Sequence, residues 1–180
     1  KCNELWFYLG VFLVSSVVIG FNIYPLYSDV ATCARLSAFQ VSSIVTTTGF
    51  ATADFNIWPQ LSRSILLLLM FFGGCAGSTA GGLKMSRVVI LFQSVKNEIR
   101  RNVRPRSVTN VKLNGKNIDE TMEKNVISSF AIYVIIHIII ILMISFEPYD
   151  FETNFTAVVS CINNIGPGLS QVGPASNFAG

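Results

Sequence analysis

Among the stretches of this 180-residue chain that carry no Asp, Glu, Lys or Arg for 20 residues or more are Leu5 to Ser28, Ser64 to Leu83 and Asn125 to Phe146. A helix needs about 20 apolar residues to cross the hydrocarbon core of a bilayer, so each stretch is long enough to span. The third contains Ile-Tyr-Val-Ile-Ile-His-Ile-Ile-Ile-Ile-Leu-Met-Ile and is apolar on every face. A helix on the surface of a water-soluble domain shows polar residues every three or four positions; this one therefore faces lipid or other helices. Charged residues make up 13% of the chain, about half the share of an ordinary soluble domain. The 14 Phe exclude a disordered chain, which is poor in aromatics and rich in charge. A secretory signal has an apolar run of about 7–15 residues and then a cleavage site, and the first stretch is too long for that. The chain reads as an integral membrane protein.

The bases are clustered. Ten of the 13 Lys and Arg lie between Lys84 and Lys124, in the loop between the second and third stretches. The positive-inside rule puts this loop, residues 84–124, in the cytoplasm. Asp29, Asp54, Glu147, Asp150 and Glu152 then fall outside, against only Arg35 and Arg63. A pI near 8.8 also raises nucleic acid as a partner, but the bases lack the aromatic interleaving that stacks on single strands. Membrane lipid, not nucleic acid, is the expected surrounding.

Between the spans lie two unusual segments. Leu36 to Ala53 is uncharged but short, and ends in Thr46, Thr47, Thr48 and Gly49. Non-helical backbone at membrane depth is tolerated only where protein or a water-filled cavity surrounds it. A short helix entering from outside and returning as an extended strand fits this segment. Asn154 to Leu169 repeats the plan, ending in Asn163, Asn164, Ile165 and Gly166. Placing Gly49 over Gly166 also aligns Ser43 with Ser160 and brings the first span over the third. The expected architecture is all-α and membrane-embedded, built of repeated span–pore helix–span units with re-entrant loops.

The loops suit a dehydrated cation. Potassium must shed its water to pass a narrow pore, and ordered carbonyl oxygens replace that shell. Thr46, Thr47, Thr48 and Gly49 can offer successive carbonyls, with Asn163, Asn164, Ile165 and Gly166 as the matching wall. Potassium ligands are expected at Thr47, Thr48, Asn164 and Ile165. The competing reading is that Thr-Thr-Thr-Gly merely caps a helix. The second stretch holds Gly73, Gly74, Gly77, Gly81 and Gly82, with Ser78 and Thr79 among them. Each glycine costs a helix about 1 kcal/mol against Ala, so this span should break into a mobile loop. Close helix packing through small residues is the alternative. Lys84, at the end of this stretch, suits either the inner pore mouth or an interfacial anchor.

Thr-Thr-Thr-Gly-Phe-Ala-Thr-Ala-Asp-Phe-Asn, Gly-Gly-Cys-Ala-Gly-Ser-Thr-Ala-Gly-Gly-Leu-Lys and Asn-Asn-Ile-Gly-Pro-Gly-Leu, in that order, resemble the TrkH potassium uptake proteins of the Trk/Ktr/HKT superfamily. Family members carry four span–pore helix–span repeats. The resemblance therefore implies a third repeat over 1–101, a cytoplasmic loop over 102–124, and the span, pore helix and filter of an incomplete fourth repeat over 125–180. It further implies a C-terminal portion of a longer subunit in a bacterial inner membrane, with filters facing outside and the glycine segment acting as a gate beneath them. It implies a homodimer regulated by a cytoplasmic nucleotide-binding ring of the TrkA type, so that nucleotide belongs to the partner and potassium is the transported ligand. No covalent cofactor is expected. Proton symport and passive flux both remain open, and a non-conducting scaffold or receptor is the alternative function.

The remaining candidates are weaker. His137, mid-span, suits a packed core histidine better than a proton relay. Cys2, Cys33, Cys75 and Cys161 show no metal-ligand spacing. Asn114-Gly115, between short alternating runs, signals a hairpin in the basic loop. No hydrolase triad, Walker loop or dinucleotide fingerprint is present, so no enzyme is expected.

Overall fold

The computed structural model describes residues 3–75, 77–103, 112–113 and 116–176. Six helices run in chain order: α1 (Asn3–Tyr27), α2 (Val30–Val45), α3 (Gln60–Leu69), α4 (Met85–Val103), α5 (Glu120–Ile144) and α6 (Phe151–Ile162). Single 3-10 turns form at Phe55–Ile57 and Ser170–Val172. Both α1 and α5 are 25 residues long, apolar enough to cross a membrane, and leave large side chains such as Leu13, Phe21, Ile135 and Leu142 exposed. In water each such side chain would forgo about 1.5–3 kcal/mol of burial, whereas in hydrocarbon its exposure costs nothing.

The chain reverses sharply after α1. Ser28 takes the left-handed conformation at φ 54° and its amide donates to the Tyr24 carbonyl at 2.8 Å, closing the helix. Asp29 then caps α2: its carboxylate accepts from the Ala31 and Thr32 amides at 3.3 and 3.0 Å and from the Thr32 hydroxyl at 2.5 Å. This cap starts the helix at Val30, ahead of the expected Leu36, and leaves Arg35 on its exposed side. Asp150 does the same for α6, accepting from the Thr153 amide and hydroxyl. α2 lies back along α1, where a Cβ on Gly20 would stand 3.2 Å from the Ser37 hydroxyl.

The charge-free stretch 64–83 is not one helix. α3 stops after ten residues, Met70 to Lys84 are non-helical, and α4 begins at Met85. The break falls on the glycines because their unrestrained backbone gains least from helix formation. Its ends are pinned together: the Gly73 amide donates to Leu83 at 2.6 Å, the Leu83 amide to Phe71 at 3.2 Å, and the Met85 amide to Gly74 at 3.1 Å. In the basic loop Lys112–Leu113 and Lys116–Asn117 pair antiparallel; the Asn114-Gly115 turn lies outside the described residues, as do Arg104 and Arg106.

One core joins the two halves. Ile19 and Ile23 from α1, Ile44 and Val45 from α2, and Leu66 and Leu69 from α3 pack with Val159, Ile165 and Leu169 of the second half. An Arg63–Glu152 ion pair ties α3 to α6. Asn56 clasps the far turn: its Nδ2 donates to the Ser170 carbonyl at 3.0 Å and its Oδ1 accepts the Ser170 amide at 2.9 Å.

Hydrogen bonds from the Thr32 hydroxyl and amide hold the Asp29 carboxyl below the usual carboxylate range, and Thr153 does the same for Asp150. A depressed folded pKa contributes stability that is present above the unfolded value, near 3.9, and lost as pH falls through the lower folded value. We predict that Asp29→Ala or Asp150→Ala lowers the Tm of the full-length protein in detergent by about 2–4 °C at neutral pH. The gap from wild type should narrow as pH falls below the unfolded value near 3.9. An undiminished gap at acid pH would reject the carboxylate caps.

Candidate ion-conduction site

The two re-entrant loops are built from one geometry used twice. After α2, Thr47 turns left-handed at φ 55°; its amide donates to Ile44 at 3.0 Å and the Thr48 amide reaches back to Ser43 at 2.9 Å. After α6, Asn164 turns left-handed at φ 61°; its amide donates to Cys161 at 3.2 Å and the Ile165 amide to Ser160 at 2.9 Å. Both are the double reverse bond that closes a helix, here with a residue other than glycine at the left-handed position. The cap reading of Thr-Thr-Thr-Gly thus holds for the turn, but the chain then runs on as extended backbone through Gly49 at φ 79° and Gly166 at φ 111°. A side chain at either glycine would be strained whatever the room around it.

The serines that open each turn also brace the extended backbone beyond it. Ser43 donates from its hydroxyl to the Phe50 carbonyl at 2.6 Å, and the Ser160 hydroxyl accepts the Gly166 amide at 3.1 Å. The loops meet at their glycines. A Cβ on Gly49 would run into the Ile165 carbonyl oxygen, with Pro167 Cδ at 3.3 Å, while one on Gly166 would find only Gly49 Cα at 3.9 Å. On the helix side lies an open cleft of ≈440 Å³ lined by Thr47, Thr48, Ser160, Cys161, Asn164, Ile165 and Gly166. Beyond the glycines a second cleft of ≈320 Å³ is lined by Gly49, Phe50, Pro167 and Gly173, among others.

The electrostatics favour a cation. Among the described residues no donor is bonded to the carbonyls of Thr47, Thr48 and Gly49, or of Asn164, Ile165 and Gly166. α2 and α6 both end at the cleft, and neither has a basic residue in its last turn. Each helix C-terminus carries the equivalent of about half a negative charge, which attracts a cation when no side chain neutralises it.

The glycine loop is packed under this site. The Gly81 amide donates to the Thr47 hydroxyl at 3.3 Å. A Cβ on Gly81 would collide with the Asn163 carbonyl, and one on Gly82 would stand 3.1 Å from Asn163 Oδ1. Gly74 lies over Ser78 and Ala80, whereas Gly77 has open space around it. Thr79 lies between Ser78 and Ala80 in the same non-helical run. Lys84 turns its ammonium onto the Ser78 carbonyl, so its charge belongs to the loop.

The four residues expected to ligate potassium, Thr47, Thr48, Asn164 and Ile165, all line the helix-side cleft. Thr46 and Asn163 do not. The Thr46 hydroxyl returns to Ser42 at 2.7 Å and meets the Thr48 hydroxyl at 2.8 Å, while Asn163 is fully buried and faces the glycine loop. Sequence reasoning assigned no role to Ser43, Ser160, Cys161, Asn56 or Tyr133. Only the Ser43–Ser160 equivalence was a usable signal. His137 is a core histidine: it is 6% exposed and its Nδ1 pairs with the Tyr133 carbonyl at 2.8 Å. Cys33 and Cys161 are free thiols.

A membrane fold with paired helix-capped loops, unpaired carbonyls and a broken helix beneath them defines a pore-loop protein. The chain belongs to the TrkH family, whose model, described as a cation transport protein, matches residues 16–179. It is 38% identical over 176 residues to the Trk system potassium uptake protein TrkG of Escherichia coli strain K12, covering 97% of this chain and 36% of that one. It is 36% identical over 171 residues to TrkH of Salmonella typhimurium, covering 95% and 35% respectively. The crystal structure of the potassium transporter TrkH from Vibrio parahaemolyticus superposes with a TM-score of 0.86 at 31% identity, over 94% of this chain and 36% of that one. The chain thus spans about a third of the length of these relatives.

The glycine geometry makes an asymmetric prediction for the full-length protein. Gly49→Ala places a methyl against the Ile165 carbonyl and should cut ion flux well below wild type, while Gly166→Ala meets only the strain of its φ, about 1–2 kcal/mol, and should cost less flux. Flux assays on purified variants check this, and equal losses at both positions would reject the observed meeting of the loops.

Proposed function

We propose that this chain forms half of the selectivity filter, and the gate, of a potassium uptake subunit in a bacterial inner membrane. The reading is carried by one observation: two equivalent helix-capped loops line a shared cleft between two helix C-termini, and among the described residues their carbonyls have no hydrogen-bond donor. Carbonyls of Thr47, Thr48, Asn164 and Ile165 replace the hydration shell of potassium, and those of Gly49 and Gly166 continue the path outward. The relatives' names, all potassium uptake proteins, support the choice of ion. The full subunit supplies the rest of the ring from residues this chain does not contain.

The loop Gly73–Gly82 is the gate. It hangs from the neck formed by Phe71 to Gly74 and Leu83 to Met85, and its Gly81 end touches both filter turns, at Thr47 and Asn163. The basic loop, with α4 leading into it, lies on the cytoplasmic side, where a nucleotide-binding ring of the TrkA type engages a homodimer of subunits. The words "Trk system" in the relatives' names support a multi-part assembly. Transport requires no chemistry on the ion, so the chain acts as a conduit and not as an enzyme.

Filter and gate are tested separately. Gly49→Ser or Gly166→Ser in the full-length subunit should weaken discrimination of potassium over sodium, because each displaces filter carbonyls. The assay is rescue of a potassium-uptake-deficient strain titrated against external sodium; unchanged preference in both well-expressed variants would falsify the filter assignment. Deleting 76–80 shortens the loop and keeps the backbone bonds of its neck, while removing the Ser78 carbonyl that Lys84 holds. The deletion should raise potassium flux into liposomes and loosen its dependence on the partner ring. Lost flux in a monodisperse protein would count against a gate.

A further inference from the structure

We propose that Tyr133 and Asn163 form a latch that holds the glycine loop closed beneath the filter. The inference rests on the gate reading above and names the contact that sets the gate's resting position. Asn163 is fully buried at the end of α6. Its Nδ2 donates to the Val159 carbonyl at 2.8 Å, which fixes the amide so that Oδ1 faces the Tyr133 hydroxyl, donating at 2.7 Å. The glycine loop is seated on this same residue. Gly81 packs against the Asn163 carbonyl group and Gly82 against its Oδ1, so closely that neither position has space for a side chain beside it.

Tyr133 is in turn held from α5. Its ring lies 4.1 Å, centroid to centroid, from His137, whose Nδ1 is bonded to the Tyr133 carbonyl. The His137 ring also lies 6.1 Å from Phe71, the residue whose carbonyl accepts the Leu83 amide in the neck. One face of α5 therefore touches both ends of the loop: the seat through Tyr133 and the neck through His137.

The internal repeat supplies a control within the molecule. α1 and α5 match residue for residue at the offset of 117 that aligns the filters, Asn3 with Glu120 and Tyr27 with Ile144. At this offset Tyr133 corresponds to Ser16, His137 to Gly20 and Asn163 to Thr46. Among the described residues the Ser16 hydroxyl has no hydrogen-bond partner, and Thr46 satisfies its hydroxyl locally on Ser42 and Thr48. Fold and filter thus form in the first unit without this triad. The second unit carries it where the loop rests on Asn163, so it serves the loop and not the repeat.

The test uses the full-length subunit in liposomes, with potassium flux read in the presence and absence of the partner ring. Tyr133→Phe keeps the ring and removes one hydroxyl. Partner-independent flux should rise about two- to tenfold, the population change one net hydrogen bond produces, with the potassium-over-sodium preference unchanged. In the protein lacking 76–80, Tyr133→Phe should add nothing, because the shortened loop no longer blocks the path that the latch would hold closed. Unchanged flux in Tyr133→Phe overturns the latch while leaving filter and gate standing. So does a rise that persists in the loop-deleted protein, or one accompanied by lost selectivity, which would mean that the pair supports the filter carbonyls instead. A wild-type protein without potassium-selective flux overturns the function and the latch together. If the deletion does not fold, Tyr133→Phe alone decides between these outcomes.

Discussion

Hydrocarbon offers a backbone amide or carbonyl no partner, and each one left bare there costs several kcal/mol. α1 and α5, each 25 residues long, meet this constraint within themselves, save at Pro25 of α1, which has no amide to donate. The chain departs from it in only a few places, and those places are the site. Two loops leave successive carbonyls without donors, around a cleft that water or an ion can enter. The cost of the departure is contained locally. The reverse bonds after α2 and α6, and the Ser43 and Ser160 hydroxyls, satisfy the groups that do not face the cleft. A dehydrated cation and a row of bare carbonyls thus answer one another's unmet need.

The repeat explains how such a site is made from a single polypeptide. Span, bracing serine, left-handed turn and loop glycine recur at one offset, and the Asp caps play corresponding roles although Asp150 does not lie at that offset from Asp29. The connection before α6 is longer than the one before α2, since α5 ends at Ile144 and α6 starts at Phe151, whereas Tyr27 and Val30 nearly abut. Function enters where the repeat is broken. The glycine loop lies in the first unit yet rests on Asn163 of the second, so it makes a contact between units.

Much of this was written in the sequence. Charge-free runs of sufficient length defined the spans, because a bilayer reads hydropathy directly and needs no tertiary partner to do so. Five glycines in ten positions marked the break, and the recurrence of glycine at a fixed offset exposed the paired re-entrant loops. Local chemistry sufficed for each. It misjudged the start of α2, because the Asp29 cap looked like one more charge outside a membrane segment, although it is the residue that starts the helix.

Tertiary structure alone decided which filter residues face the cleft and which face the gate. Thr46 and Asn163 stand in the same line of sequence as their neighbours, but the left-handed turn one residue later swings them away from the cleft. Likewise, Tyr133 sits in a span whose hydropathy is uniform, and nothing along the chain distinguishes its hydroxyl from a lipid-facing one. It became a partner of Asn163 only when α5 and α6 packed against each other. Spans, caps and breaks come from interactions within a few residues, so the sequence determined them; the coupling of gate to filter depends on groups 30 or more residues apart, which only folding brings within 3.3 Å.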